Sequence, residues 1–181
     1  MTFEASTAFG DIAENLVGRW FRSRGNSVLP AYQLEIESGK GPRFFTPTGE
    51  LIAPDMFLMP CMVWAEVKHK KAFTWYRRNK EWTTGIDIKH YSDYQEVQKV
   101  SRRDVWLMFL HSSATPDQRD LDADRDCPRT CPTGLYGSKL KILTKHESHK
   151  SFKEGMVYWE ERRLKRFASL GELSELEDKA A

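Results

Sequence analysis

Three charged residues interrupt two otherwise apolar runs in the first half of the chain. Asp55 lies in the run from Leu51 to Met59, and Glu66 and Lys68 lie in the run from Met62 to His69. Short apolar runs of this kind are typical of buried strands. Unpaired charges are costly in such surroundings, so these side chains need either a partner or a function.

A tight turn between the two runs would bring the carboxylates together. Pro60-Cys61 predicts a hairpin, and a two-residue turn there places Asp55 directly opposite Glu66, with Cβ atoms roughly 5 Å apart. Because side chains alternate along a strand, Lys68 shares the face of Glu66. Two like charges at this distance repel each other unless one is protonated or a cation lies between them.

A divalent metal ion would relieve this repulsion. Mg²⁺ prefers hard oxygen ligands, takes one or two carboxylates and completes its shell with water and phosphate oxygens, and Mn²⁺ is expected to substitute for it. An adjacent lysine would stabilise charge on a phosphoryl group, or orient and help deprotonate the attacking water. Together these groups indicate phosphodiester hydrolysis. The alternative is a salt-bridged cluster on an edge strand.

The pattern around these residues predicts the elements that must position them. A helix capped by Ser6 or Thr7 comes first; its apolar residues recur at three- and four-residue steps, and Gly25-Asn26 ends it. The next predicted elements are a strand from Val28 to Ile36, a loop from Ser38 to Gly49, the two runs as strands, a helix from Ile86 to Arg102 and a strand from Asp104 to His111. The basic, aromatic segment from Ala72 to Gly85 shows no regular spacing of apolar residues.

The remainder of the chain is predicted from weaker patterns. A polar, acidic stretch after His111 predicts a long surface loop over about residues 112–138. The elements predicted after it are strands at Leu140 to Thr144 and Met156 to Trp159, a charged helix from Glu160 to Ala168, and a short helix or frayed tail.

Pro54-Asp55 followed by Glu66-Val67-Lys68, in an order of helix, three strands, helix and strand, resembles the PD-(D/E)xK nuclease superfamily. The resemblance covers about residues 6–111. It implies the restriction-endonuclease-like fold, a single α/β domain whose central mixed sheet is flanked by helices, with the core order α-β-β-β-α-β and C-terminal strand and helix additions.

The resemblance also implies roles for particular residues. Asp55 and Glu66 would be metal ligands, the backbone carbonyl of Val67 a third ligand, and Lys68 the catalytic lysine. Many members add an acid from the first helix. Glu14 is the matching residue here, at the border of the apolar stripe, although it could equally be an ordinary helix-flank glutamate.

Members of this superfamily often carry a polar residue on the helix after the lysine strand. His90, Tyr94 and Gln98 lie four residues apart on one face of that predicted helix, where they could approach phosphate or water. Alternatively, Tyr94 belongs to the core and His90 is merely exposed.

A segment that interleaves basic and aromatic residues directly follows the lysine. Lys70, Lys71, Arg77 and Arg78 are expected to contact DNA phosphates, and the aromatic residues between them could stack on unpaired bases. The region 67–103 holds ten Lys/Arg against four Asp/Glu, so it presents positive potential although the net charge of the chain is only +2. The alternatives are a solvated charged face, and aromatic residues that cover a sheet edge.

Other motifs carry less weight. Cys127, Cys131, His146 and His149 have a loose spacing for a zinc site. The acidic stretch 122–126 lacks the glycine and the glutamate of a calcium loop, and the sequence contains neither a Gly-rich phosphate loop nor G-x-S-x-G. Nucleotide-triphosphatase and serine-hydrolase functions therefore have no support.

The length of 181 residues predicts one nuclease-like domain over residues 1–170 and an acidic tail over 171–181. No apolar run is long enough to span a membrane, and an acidic N-terminus without a basic segment predicts a cytoplasmic protein with reduced cysteines.

The function expected from these observations is that of a Mg²⁺-dependent deoxyribonuclease acting on DNA. A chain of this size suits processing by structure or by end, and a dimer is possible. The alternatives are a non-catalytic nucleic-acid-binding subunit with a nuclease-like fold, and a nuclease that acts on RNA. The sequence does not distinguish an endonuclease from an exonuclease.

Overall fold

The chain alternates short strands with helices. The computed structural model describes residues 3–33, 41–151 and 155–178, with side chains described from residue 12 to residue 176 within these ranges. The helices are α1 (Phe3–Ser23), α2 (Ile88–Ser101), α3 (Gln118–Ala123), α4 (Leu140–Leu143) and α5 (Leu170–Asp178). The strands are β1 (Ser27–Pro30), β2 (Arg43–Thr46), β3 (Gly49–Ile52), β4 (Met56–Met59), β5 (Val63–Lys70), β6 (Thr74–Tyr76), β7 (Glu81–Asp87), β8 (Val105–His111), β9 (Gly134–Lys139), β10 (His149–Ser151), β11 (Met156–Glu160) and β12 (Lys165–Ala168).

A six-stranded mixed sheet in the order β1-β4-β5-β8-β9-β12 forms the centre of the fold. β5 and β8 run parallel, and the other neighbours in this sheet are antiparallel. The parallel pair is joined through β6, β7 and α2, since parallel neighbours need a long crossover. Helices α1 and α5 pack on one face and α2 on the other. The predicted fold class, a single α/β domain with a mixed central sheet flanked by helices, is confirmed.

Helix α1 covers the sheet with the apolar face that its sequence predicts. Ala13 and Val17 are fully buried in one cluster with Ala65 and Val67 of β5. Gly25 adopts a left-handed conformation with φ of 82°, which ends the helix as predicted. The helix begins at Phe3, however, so the predicted N-cap at residue 6 or 7 is wrong, because both positions lie inside the helix.

Two predicted segments between α1 and β4 are also wrong. The strand expected up to Ile36 ends at Pro30, where a 3-10 turn (Ala31–Gln33) follows; residues 34–36 lie outside the described residues. The loop expected up to Gly49 contains β2, which pairs with β3 in a separate hairpin. This hairpin takes the first residues of the predicted Leu51–Met59 strand, so that strand is divided and β4 begins only at Met56.

A second sheet, in the order β10-β11-β7-β6, packs with α2 against the other face of the central sheet. Its buried residues, among them Ile86 and Trp159, share a cluster with Leu107 and Phe109 of β8. The sequence predicts α2 and β11 correctly but gives no strand for most of the Ala72–Gly85 segment, which contains β6 and the beginning of β7.

Three predictions for the region after His111 are wrong. The expected loop contains α3 and β9, the expected strand from Leu140 is helix α4, and the expected helix up to Ala168 is a 3-10 turn (Glu161–Arg163) followed by β12. β9 was not predicted because it contains glycines, which resemble loop residues. Gly137 is required there by close packing, since a Cβ at this position would lie 2.5 Å from Sδ of Met108. No helix among the described residues combines the length and apolar character needed to cross a membrane.

Candidate active site

Asp55 and Glu66 lie next to each other in the β4–β5 hairpin. Met56 pairs with Ala65 and Leu58 with Val63, which is the register that the two-residue turn predicts. Asp55 immediately precedes β4, so the same register continues to Glu66. The backbone N–H of Val67 donates a 2.7 Å hydrogen bond to Oδ2 of Asp55, and the Asp55 carbonyl accepts one from the N–H of Tyr32. Asp55 is therefore fixed both through its carboxylate and through its backbone carbonyl.

Both carboxyl groups are removed from solvent. Asp55 is 7% exposed and Glu66 is 1% exposed. Burial raises the pKa of Asp55 well above its usual range, and the negative charges of Glu66 and Glu14 raise it further. The Lys68 ammonium and the Val67 N–H lower this pKa but do not outweigh burial. The site thus concentrates negative charge at a cost to the folded state.

Lys68 supplies a positive charge on the same face of β5. Its ammonium forms an ion pair with Oε1 of Glu66, and its side chain is 28% exposed. Burial alone would lower the pKa of Lys68, but the carboxylates of Glu66 and Asp55 outweigh burial and raise this pKa above its ordinary value. The amine is therefore a fixed positive charge at neutral pH.

Three further residues predicted for the site are close to this charge cluster. Glu14 of α1 is half-buried, and its charge raises the pKa of both Asp55 and Lys68. Tyr94 of α2 is fully buried; burial raises its pKa well above the usual range, and Glu66 and Asp55 raise it further. Burial and then Lys68 lower the pKa of His90, whose ring lies 6.0 Å from that of Tyr94.

Other predicted residues occupy different places. Oε1 of Gln98 accepts a 3.4 Å hydrogen bond from the N–H of Val105, at the beginning of β8. Lys71 is exposed directly after β5. Arg77 and Arg78 are exposed after β6, and they line a cleft on the second sheet together with Arg119 and Tyr158, which the sequence does not single out. Arg119 and Tyr158 come from segments far apart in the chain, so no local pattern connects them.

Lys70 is half-buried at the end of β5, two residues beyond Lys68 on the same face. Burial lowers the pKa of Lys70 to about 8, and the Lys68 ammonium contributes to this decrease. Lys70 therefore carries its charge below about pH 8 and loses it as the pH rises further.

This titration predicts a pH dependence of DNA binding. If Lys70 contacts a phosphate, the dissociation constant for duplex DNA should rise by about fivefold to tenfold as the pH is raised from 7 to 9, which is roughly the loss of one phosphate contact. Fluorescence anisotropy in the absence of divalent metal measures this change. The Lys70→Gln variant should bind weakly and equally at both pH values. A wild-type affinity that does not depend on pH would contradict a phosphate contact by Lys70.

The donor atoms present at the site suit a hard divalent cation. Asp55 and Glu66 provide two carboxylates against the single ammonium of Lys68, so the buried groups carry excess negative charge once Asp55 is ionised. Both carboxylate oxygens of Glu66 are removed from solvent, and Oε1 is in ion-pair contact with the Lys68 ammonium. Mg²⁺ commonly uses only one or two carboxylates, with water and phosphate as the other ligands. These residues fit such an ion.

Larger metal-binding groups are not found in the part of the chain that the structure describes. No three His, Cys, Asp or Glu side chains are gathered there as a metal-binding group. Cys127 and Cys131 are buried free thiols, and burial raises the pKa of both. The loose zinc spacing in the sequence therefore gains no support from the structure.

No family model matches the chain, and no curated protein matches it. The chain is similar to Hjc, a Holliday junction resolvase from the archaeal hyperthermophile Archaeoglobus fulgidus, with a TM-score of 0.47 and 11% sequence identity. The alignment covers 85% of this chain and 90% of that chain.

Proposed function

We propose that the protein is a metal-dependent deoxyribonuclease that hydrolyses DNA phosphodiester bonds. The observation that supports this most strongly is the pair of buried carboxylates, Asp55 and Glu66, with the Lys68 ammonium in ion-pair contact with Glu66. A purely structural cluster would gain little from this arrangement, because burying charge is costly even when the charges are paired. The raised pKa of Asp55 reflects that cost. A site that binds a metal ion and a phosphate would use this arrangement of buried charges.

The residues have distinct proposed roles. Asp55 and Glu66 would hold Mg²⁺ or Mn²⁺, with the Val67 carbonyl and Glu14 as further candidate ligands. When bound, such an ion polarises a phosphoryl oxygen and lowers the pKa of bound water. Lys68 is the proposed catalytic lysine. Because its pKa is raised, Lys68 is suited to stabilise developing negative charge and unsuited to accept a proton.

The proposed substrate is DNA that is processed by structure or by end. Lys70 and Lys71 continue from the catalytic strand and would contact phosphates next to the cleaved bond. His90 and Tyr94 of α2 lie close enough to the charge cluster to influence it electrostatically, and we assign them to the approach of phosphate or water. Gln98 would contribute indirectly, through its hydrogen bond at the beginning of β8.

Incubation with a panel of nucleic acids tests this proposal. Linear duplex, circular, branched and single-stranded DNA, and RNA of matching sequence, are each incubated with Mg²⁺, Mn²⁺ or EDTA, and the products are separated by length. We expect metal-dependent cleavage of at least one DNA substrate, and cleavage of the circle would identify an endonuclease. Cleavage of RNA alone would replace DNA as the substrate. Binding without cleavage of any nucleic acid would indicate a non-catalytic subunit.

A further inference from the structure

We propose that a cleft on the second sheet binds an unpaired stretch of the nucleic-acid substrate. This inference rests on the proposed function in one respect, that the substrate is DNA. The cleft has a volume of about 670 Å³ and lies between β6, β11 and α3. This volume is within the range of roughly 300–1,000 Å³ that is common for ligand sites. The residues that carry the argument are Tyr76, Arg77, Arg78, Arg119 and Tyr158.

Two tyrosines that line this cleft, Tyr76 and Tyr158, each stack on the ring of His149. The ring of His149 lies 3.9 Å from that of Tyr76 and 4.5 Å from that of Tyr158, with interplanar angles of 9° and 5°. Tyr76 belongs to β6 and His149 to β10, which are the two edge strands of the second sheet. The two tyrosine rings are therefore fixed by stacking on His149, and they present a preformed aromatic surface to the cleft.

A glycine on the neighbouring strand leaves room for this aromatic surface. Gly85 of β7 pairs with Tyr158 of β11. A Cβ at Gly85 would lie 2.8 Å from Cδ1 of Tyr158 and 2.3 Å from the carbonyl oxygen of Val157. A larger residue at this position would displace either the tyrosine ring or the strand. The position of the Tyr158 ring therefore depends on a glycine at position 85.

Guanidinium groups form the rim of the cleft. Arg77 and Arg78 are exposed on the turn after β6, and the side chain of Arg119 on α3 is 90% exposed. Arg119 forms an ion pair with Asp117 through two hydrogen bonds, and because both side chains are exposed to solvent, a phosphate can compete for the guanidinium. The rim therefore offers up to three cationic groups to a polyanion.

Hydrogen bonds from Trp75 hold α3 beside β6. The backbone N–H of Trp75 donates to Oδ2 of Asp120, and the indole N–H donates to Oδ2 of Asp124, each at 2.9 Å. Asp120 also lines the cleft, but its carboxylate is engaged by this bond. Asp120 and Asp124 thus position the arginine rim, and the three arginines that line the cleft outnumber its single lining carboxylate, Asp120.

The combination of aromatic rings and guanidinium groups selects an unpaired strand over a duplex. Bases in a duplex are stacked on one another, and a protein surface reaches mainly their edges and the phosphates. Unpaired bases can stack on aromatic side chains while their phosphates contact arginine. We therefore expect this cleft to hold the single-stranded part of a frayed, flapped or branched substrate.

Binding measurements with paired variants test the cleft. A labelled single strand of about 12 nucleotides and the matching duplex are titrated without divalent metal, by fluorescence anisotropy at several salt concentrations. The Arg78→Ala/Arg119→Ala variant should bind the single strand about tenfold more weakly, and its salt slope should be lower by about 1.4. The Tyr76→Leu variant should lose about fivefold or more in affinity with an unchanged salt slope. Duplex binding should change little in either variant.

The control replaces two exposed arginines outside the cleft lining, as Arg125→Ala/Arg129→Ala. This variant removes the same charge, so an equal loss of single-strand affinity in the control would overturn the proposal. An equal loss for duplex and single strand in the cleft variant would also overturn it, because the cleft would then bind only the backbone. The urea midpoint of Tyr76→Leu confirms that the variant is folded, and the arginine variants test the cleft without altering buried residues.

Failure of the cleft and failure of the nuclease assignment give different results. If the wild type cleaves none of the nucleic acids in the panel but the cleft variants lose single-strand affinity, the nuclease assignment fails and the cleft stands. If Lys68→Ala abolishes cleavage and the cleft variants bind single strands like the wild type, the cleft proposal fails and the nuclease assignment stands.

Discussion

Replacement of Lys68 by alanine is expected to lower the single-turnover cleavage rate by at least about 100-fold while DNA affinity stays nearly unchanged. The reason is that the ammonium would act on charge that develops only in the transition state, and losing one such interaction typically costs this much or more. Rapid-quench measurement with enzyme in excess over DNA isolates this step. A folded variant that cleaves at the wild-type rate would remove Lys68 from the mechanism.

A structural ion pair between Lys68 and Glu66 predicts a different outcome. In that case Lys68→Ala would lower the free energy of unfolding, and the remaining activity would follow the folded fraction. Lys139 offers a matched control, because it is also half-buried, with a side-chain exposure of 33% against 28% for Lys68, and it pairs with Asp104 at 2.8 Å. Lys139→Ala should lower the urea midpoint if its ion pair contributes to stability, but it should leave the cleavage rate per folded molecule unchanged.

The arrangement of the β4–β5 hairpin could be predicted from sequence because strand periodicity and a short turn determine it. Pro60-Cys61 sets the register, and the register determines which residues face each other. Asp55, Glu66 and Lys68 therefore come together in the structure as the spacing predicts. Alternation along β5 also explains why Glu66 and Lys68 lie on the face opposite Val67.

The second sheet could not be predicted, because long-range contacts determine it. β6 is only three residues long and is held at one edge by hydrogen bonds from Trp75 to the distant Asp120 and Asp124. Its pairing partner β7 is joined to β11, some seventy residues later in the chain. Tyr158 and His149 thus reach Tyr76 through strand pairings between distant segments, which a local sequence pattern does not indicate.

β9 and β12, the last two strands of the central sheet, could not be predicted from their amino-acid composition. β9 contains Gly134 and Gly137, which resemble loop residues in the sequence but are required here by close backbone contacts. β12 begins with Lys165 and Arg166, which suggest a solvated helix. Charged residues are equally suited to an edge strand, where they discourage pairing with another chain. Composition alone does not separate these two possibilities.

Replacement of Asp55 by asparagine is expected to remove the stabilisation of the protein by Mn²⁺. A metal present at 100 times its dissociation constant stabilises the folded state by about 2.7 kcal/mol, which raises the Tm of a chain of this size by roughly 5–10 °C. Differential scanning calorimetry with and without Mn²⁺ measures this shift, and titration calorimetry measures the affinity. We expect the shift in wild type and its loss in Asp55→Asn.

The same variant should be at least as stable as wild type in the absence of metal. The pKa of Asp55 is raised in the folded state, so the stability that its neutral form provides is present at low pH and lost as the pH rises through that pKa. The amide is neutral at every pH and its oxygen can still accept the bond from the Val67 N–H, so the substitution removes the charge and keeps the hydrogen bond.

A matched control separates the metal site from a general effect of removing a carboxylate. Asp120 also accepts a backbone N–H bond, from Trp75, and burial also raises its pKa. Asp120→Asn should therefore retain the full shift of Tm with Mn²⁺. Equal Mn²⁺ affinity in wild type and Asp55→Asn would place the metal elsewhere, and the buried carboxylate pair would then have to be explained by its contribution to the fold alone.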